Sequence, residues 1–154
     1  MRINNLFIAI ITVCLLSFAS ATFAENGLIT IKSKHSAMKT IDRLEAIVKK
    51  KGITVMGRVS HTKNAAGVGI KIRPTELLIF GNPKLGSNFF TSNQVAGIDL
   101  PMKALAWQDE KGQVWLTYND PNYIAERHNI DDRDEIVKKM SGALGKLTAK
   151  AAGD

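Results

Sequence analysis

Leu28-Ile29-Thr30-Ile31-Lys32, Ser36-Ala37-Met38-Lys39-Thr40-Ile41-Asp42-Arg43-Leu44-Glu45-Ala46-Ile47-Val48-Lys49-Lys50-Lys51-Gly52 and Ile53-Thr54-Val55-Met56-Gly57-Arg58-Val59 follow one another along the chain. The first run is rich in β-branched residues and predicts a strand. Ser36 offers a hydroxyl to cap a helix. Behind it Ala37, Ile41, Leu44 and Val48, joined by Met38 and Ile47, recur at helical spacing and give one apolar face. Lys49, Lys50 and Lys51 complement the negative helix end, and Gly52 suits the left-handed position after it. In the last run Ile53, Val55 and Val59 fall on one side of a half-buried strand. The unit is strand–helix–strand.

Working towards the C-terminus, His61 to Gly67 reads as a polar loop, and Val68 to Ile72 as a short strand or connecting stretch. Leu77-Leu78-Ile79-Phe80, bounded by Pro74 and Gly81, is too short for a core helix. It predicts a central strand covered on both faces. Residues 81–86 form a turn cluster, and one or two helical turns follow between Ser87 and Ala96, with Gly97 opening the next extended piece. Met102 to Gln108 and Gln113 to Tyr118 form a hairpin joined by Asp109-Glu110-Lys111-Gly112, which places Trp107 and Trp115 near each other across the strands. Asn119-Asp120-Pro121 starts a short helix through Arg127. A last helix begins near Asp131 or Asp132, where Asp132 and Glu135 fit a capping box. It turns Ile136, Met140, Ala143, Leu144 and Leu147 inward, and the tail from Ala149 frays. The order predicts an α+β domain, a mainly antiparallel sheet with helices on one side.

Working towards the N-terminus, Met1-Arg2 precedes an apolar run from Leu6 to Phe18, broken only by Thr12 and Ser17, and then Ala19-Ser20-Ala21 and Thr22-Phe23-Ala24. A basic start, a short apolar stretch and an Ala-x-Ala exit make a secretory signal. The run is shorter than the roughly 20 residues that span a bilayer. The expected organisation is a signal at 1–24, cleaved after Ala24 or Ala21, and a single domain at 25–154 in the periplasm or outside the cell, with no stable membrane insertion. Removing the signal takes away Arg2 and Cys14, leaving 20 basic against 14 acidic residues, a net +6, and no cysteine. A thiol-free chain excludes disulfides, thiolate metal sites and cysteine nucleophiles. The positive balance favours anionic partners, though scattered lysines equally serve solubility. No basic block marks a nucleic-acid arm, and nucleic acid is not an expected partner.

Arg73-Pro74-Thr75-Glu76-Leu77-Leu78-Ile79-Phe80-Gly81-Asn82-Pro83-Lys84, Gly97-Ile98-Asp99-Leu100-Pro101-Met102-Lys103-Ala104 and Val114-Trp115-Leu116-Thr117-Tyr118-Asn119-Asp120-Pro121, in that order, resemble the family catalogued as domain of unknown function number 302. The resemblance covers the mature chain from about Gly27 to Leu147. It implies a compact α+β fold, often dimeric, and no activity.

Candidate ligand-binding residues are Asn82, Lys84, Asp99, Asn119 and Asp120. Gly81-Asn82-Pro83-Lys84 joins a glycine open to close approach, an amide and a cation, suited to a small anion. Asn82 serving its own turn is the plainer alternative. Asp99 and Asp120, if brought to Asn82, would support acid–base work or hard-cation binding; each equally fits a turn or helix cap. His35, His61 and His128 lack helical pair spacing and read as independent surface residues, so no metal or cofactor is expected. No nucleophile elbow occurs. Trp107, Trp115 and Tyr118 suit a core or a dimer face, and the helix-free face of the sheet calls for cover that a homodimer would supply. The leading expectation is a periplasmic module binding a small or anionic ligand through loops 81–86, 97–101 and 119–121. The alternatives are a hydrolase- or isomerase-like enzyme using the Asp/Asn cluster, and a structural or stress-associated envelope protein.

Overall fold

The computed structural model describes the backbone of Thr22–Phe23 and residues 26–153. The expected signal at 1–24, apart from that dipeptide, lies outside the described residues. The strands are β1 (Thr22–Phe23), β2 (Leu28–Ser33), β3 (Thr54–Ser60), β4 (Thr75–Gly81), β5 (Met102–Gln108) and β6 (Val114–Asn119), and the helices α1 (Ala37–Lys50), α2 (His61–Gly67), α3 (Pro83–Ser92), α4 (Pro121–Arg127) and α5 (Asp134–Ala152), with a 3-10 helix at Gln94–Ile98. One antiparallel sheet runs in the order β1-β2-β6-β5-β4-β3. The chain is α+β, with its strand–helix–strand start and C-terminal helix as expected.

Residues alternate across the sheet as the strand period of two requires. Leu78, Phe80, Met102, Ala104, Ala106, Val114, Leu116 and Tyr118 point to one face and are buried. Helices α1 and α5 cover that face through Ala37, Ile41, Leu44 and Val48 of the first and Met140, Leu144, Leu147 and Ala151 of the second. Burying a side chain the size of Leu or Ile contributes about 1.5–3 kcal/mol, so this layer is the main source of stability. Ser36 caps α1 by accepting from the Lys39 amide at 3.3 Å, and Gly52 takes φ +69. The N-terminal strand β2 is held between β1 and β6, with Ile31 opposite Leu116.

Several local expectations are corrected. Residues 61–67 are helical because Ser60 accepts from the Lys63 amide and starts a turn. Helix α3 begins at Pro83, inside the expected turn cluster, since Asn82 is its cap; the next extended piece starts at Met102 rather than Gly97, because the 3-10 helix runs on to Ile98. A bulge between Val55 and Gly57 reverses the alternation of β3, as one extra residue must. Val55, opposite Phe80, therefore faces the helices, while Val59, opposite Leu77, faces away. Met38, expected on the apolar face of α1, is exposed. The Asp132–Glu135 capping box does not form: α5 starts at Asp134 without a side-chain cap, and Asp132 accepts from Ser92 Oγ at 2.7 Å instead.

The tail does not fray either. Ala151 and Ala152 are buried, and the last carbonyls of α5, which no intrahelical donor reaches, accept from elsewhere. Arg43 Nε donates to Ala151 O and Arg43 Nη2 to Lys150 O and Gly153 O, each at 3.0 Å. The Lys34 amide donates to Ala152 O at 2.9 Å, and the His35 ring lies 2.6 Å from Gly153 O.

Among the described residues, α1 and α5 do not cover the opposite face of the sheet. Val59, Leu77, Ile79, Leu105, Trp107 and Trp115 lie there half-buried, so among the described residues β4 is fully covered on one face only. Trp107 pairs with Trp115 across the hairpin. Its indole donates to Thr117 Oγ1 at 2.8 Å, and that of Trp115 donates to Asp109 Oδ2 at 2.8 Å.

Candidate functional site

The register sets the loops in place. Phe80 is opposite Met102 and Ala104 is opposite Tyr118. The connections that leave β4, enter β5 and leave β6 therefore emerge at the same end of the sheet, so loops 81–86, 97–101 and 119–121 are neighbours there. Their candidate side chains are nevertheless engaged locally. Asn82 Oδ1 accepts from the Lys84 amide at 3.0 Å as the cap of α3; Lys84 itself is exposed. Asp120 caps α4, accepting from the Asn122 amide at 2.9 Å and from Asn122 Nδ2 at 2.8 Å. Asn119 ends β6 opposite Leu28.

Asp99 has other partners. Its Oδ2 lies 2.7 Å from His128 Nε2, and its Oδ1 lies 3.5 Å from Arg127 Nη1. His128 is buried, and its carbonyl accepts from Asn93 Nδ2 at 2.9 Å. This corrects the expectation of a surface histidine: His128 ties the end of α4 to the 3-10 helix. A helix rises about 1.5 Å per residue, so His128 lies about 12 Å along α4 from Asp120. The two aspartates thus sit at opposite ends of α4. His35 is drawn to the chain end and His61 is exposed; among the described residues the three histidines do not converge.

Loop 81–86 and the Leu100–Pro101 end of loop 97–101 border a cavity of about 180 Å³ between the sheet end, α3 and α5. Phe80, Met102, Met140, Leu144 and Leu147 form its inner wall, Leu85, Leu100 and Pro101 its side, and Met56 and Phe90 its exposed rim. Among the described residues, Asn82 and Ser87 are the polar side chains in the lining, and none of the lining residues is titratable. Gly81 sits against Pro101 where the two loops meet: a Cβ there would lie in ordinary contact, 3.4 Å from Pro101 Cβ. Of the five candidates, Asn82 borders the cavity and Lys84, Asp99, Asn119 and Asp120 do not. A hollow of this size and lining suits a small apolar group.

Sequence reasoning missed the Asp99–His128 pair and the cavity wall. The pair joins residues 29 apart that carry no periodic or motif signal. Met56, Phe90 and Met140 come from three separate elements and meet only in the fold.

A family model described as "Domain of unknown function DUF302" matches residues 29–147. The chain belongs to the DUF302 family. An uncharacterized conserved DUF302 protein from Bacillus stearothermophilus, known from a crystal structure, superposes with a TM-score of 0.64 at 23% identity, covering 82% of this chain and 95% of that one. It supports the DUF302 fold. The protein named fluoride-specific ion channel FluC 1 of Brucella suis biovar 1 (strain 1330) is 43% identical over 135 residues, which are 87% of this chain and 53% of that protein. Fluoride-specific ion channel FluC 2 of Brucella melitensis biotype 1 matches at 43% identity over 87% of this chain and 50% of its own length. This DUF302 chain thus spans about half the length of the curated relatives it matches.

Proposed function

We propose that this chain is an exported, homodimeric binding module that holds a small, mostly apolar molecule in the cavity beside Asn82. The single observation that carries the reading is the cavity itself. It is concave and framed by Phe80, Leu100, Met102, Met140 and Leu144, with Asn82 and Ser87 to orient a polar end. Catalysis needs a titratable or nucleophilic group within about 2.6–3.2 Å of the reacting atoms, and this lining supplies none. Lys84 outside the lining likewise favours an apolar over an anionic ligand. The half-buried apolar residues of the open sheet face support pairing of two copies. Five strands about 20 Å long and about 4.8 Å apart present roughly 400–500 Å² per copy in projection, near the lower limit for a specific dimer.

The curated relatives are named as ion channels. A channel spans the bilayer with helices or a closed barrel, and among the described residues no helix is long and apolar enough to do so. This supports reading the shared half as an appended binding module rather than a pore. The basic, apolar and Ala-x-Ala segments of residues 1–24 support export. Sequencing the mature N-terminus checks this point, and cleavage after Ala21 would keep β1 whereas cleavage after Ala24 would remove it.

The test uses hexanol, benzyl alcohol and inorganic phosphate as probes. The alcohols should raise the melting temperature and bind measurably by calorimetry. Ala143→Leu, which adds volume where α5 lines the cavity, should abolish that response without lowering the melting temperature of the unliganded protein. Native mass spectrometry of protein from its own periplasm should show a small adduct on a dimer. A response to phosphate alone, or to none of the probes with no adduct, overturns the reading.

A further inference from the structure

The connection from α2 to β4, Val68-Gly69-Ile70-Lys71-Ile72-Arg73, leaves its aliphatic residues outside the core: Val68 is 73% exposed, Ile70 57% and Ile72 38%. A single exposed aliphatic residue is ordinary on a protein surface, but a cluster in six consecutive residues marks an interaction site. The loop has a fixed root. The Val68, Gly69 and Ile70 amides donate to Ala65 O, Ala66 O and Ala65 O, Gly69 takes φ +77 to turn the chain outward, and Arg73 Nε donates to Gln108 O at 3.2 Å. Cations interleave with the aliphatic residues. Lys63, Lys71 and Arg73 are exposed, and no acidic residue occurs from His61 to Arg73. Glu110 lies 3.8 Å from Arg73.

We propose that this loop docks the protein peripherally on a lipid bilayer carrying anionic headgroups. Short aliphatic side chains enter the boundary between headgroups and acyl chains, while lysine stems extend their charges to the phosphates. Charge decides between occupants. A second copy of the mature chain presents the same net +6 and the same lysines, whereas an anionic leaflet complements them. The contact is superficial, since no described helix can cross the membrane. Docking does not require an occupied cavity, so this reading and the ligand reading fail separately.

Co-sedimentation of the full mature chain with phosphatidylcholine vesicles, with and without phosphatidylglycerol, tests it. The protein should sediment with the phosphatidylglycerol vesicles at low salt, be released at high salt, and stay in solution with phosphatidylcholine alone. Val68→Ser/Ile70→Ser should weaken binding about tenfold, and Lys63→Gln/Lys71→Gln should weaken it by roughly fivefold per charge. All four residues are exposed, so circular dichroism should show unchanged melting. Absence of binding to anionic vesicles overturns the proposal. So does undiminished binding of the Val68→Ser/Ile70→Ser protein, which would mean attraction by bulk charge alone. If that variant instead loses mass in sedimentation velocity and the wild type ignores vesicles, the loop joins two copies and the lipid assignment is wrong.

Discussion

Leu78, Phe80, Ala104, Ala106 and Leu116 are shut beneath α1 and α5, while their immediate neighbours in sequence, Leu77, Ile79, Leu105, Trp107 and Trp115, sit half-buried on the other side of the same strands. Each surface is apolar at its centre. Helices α1 and α5 cover one, and among the described residues the other keeps its apolar side chains half-buried. The difference teaches that hydrophobic patterning states what a surface needs, and chain connectivity states how much of that need one molecule meets. Leu77-Leu78-Ile79-Phe80 reads as a strand wanting cover on both sides; the helices supply one.

The comparison breaks most readily at the covered face. Leu78→Ala should cost about 2–5 kcal/mol in urea unfolding, because α1 cannot collapse into the space left. A loss well under 1 kcal/mol would mean that the helical layer is loosely packed. Ile79→Lys, one residue along, should leave the far-ultraviolet circular dichroism of the protomer intact and convert a dimer to a monomer in sedimentation equilibrium. An unchanged mass would remove the open face as the pairing surface. The smallest effect belongs to the hairpin at the edge of that face. The Asp109 carboxyl is held below its ordinary value near 3.8, first by the Trp115 indole N–H and then by the Gln113 and Lys111 amides, against the opposing effect of desolvation. A carboxyl lowered by folding contributes stability above its unfolded value, and the contribution disappears as pH falls through the folded one. Trp115 fluorescence should therefore change below about pH 4, and Asp109→Asn should flatten that change. An identical acid titration in the variant would assign the signal to another group.

Most of the fold was legible because its signals are local. Ser36, the apolar spacing of α1 and Gly52 act within one helix, and the Met102–Tyr118 hairpin depends on a short turn. The errors arose where a distant contact overrides local preference. The bulge at Met56 reverses Val59 because pairing with β4 sets its register. The tail stays helical because Arg43, more than a hundred residues away, satisfies its carbonyls. The candidate site was legible only as a place. The three loops do share one end of the sheet, yet Asn82, Asp99 and Asp120 each satisfy a nearby hydrogen bond, and the cavity wall is assembled from methionines and aromatics on separate elements.

The irregularity in β3 has a further effect. This strand is an outer border of the sheet, where unpaired amides and carbonyls can recruit another chain's backbone. The kink at Met56, with charged Arg58 beside it in ion pairs to Asp42 and Glu45 of α1, spoils the straight template such recruitment needs. Growth by adding strand to strand is thus obstructed at the β3 margin, which leaves the flat face of the sheet, rather than this edge, as the surface through which copies of the molecule would meet.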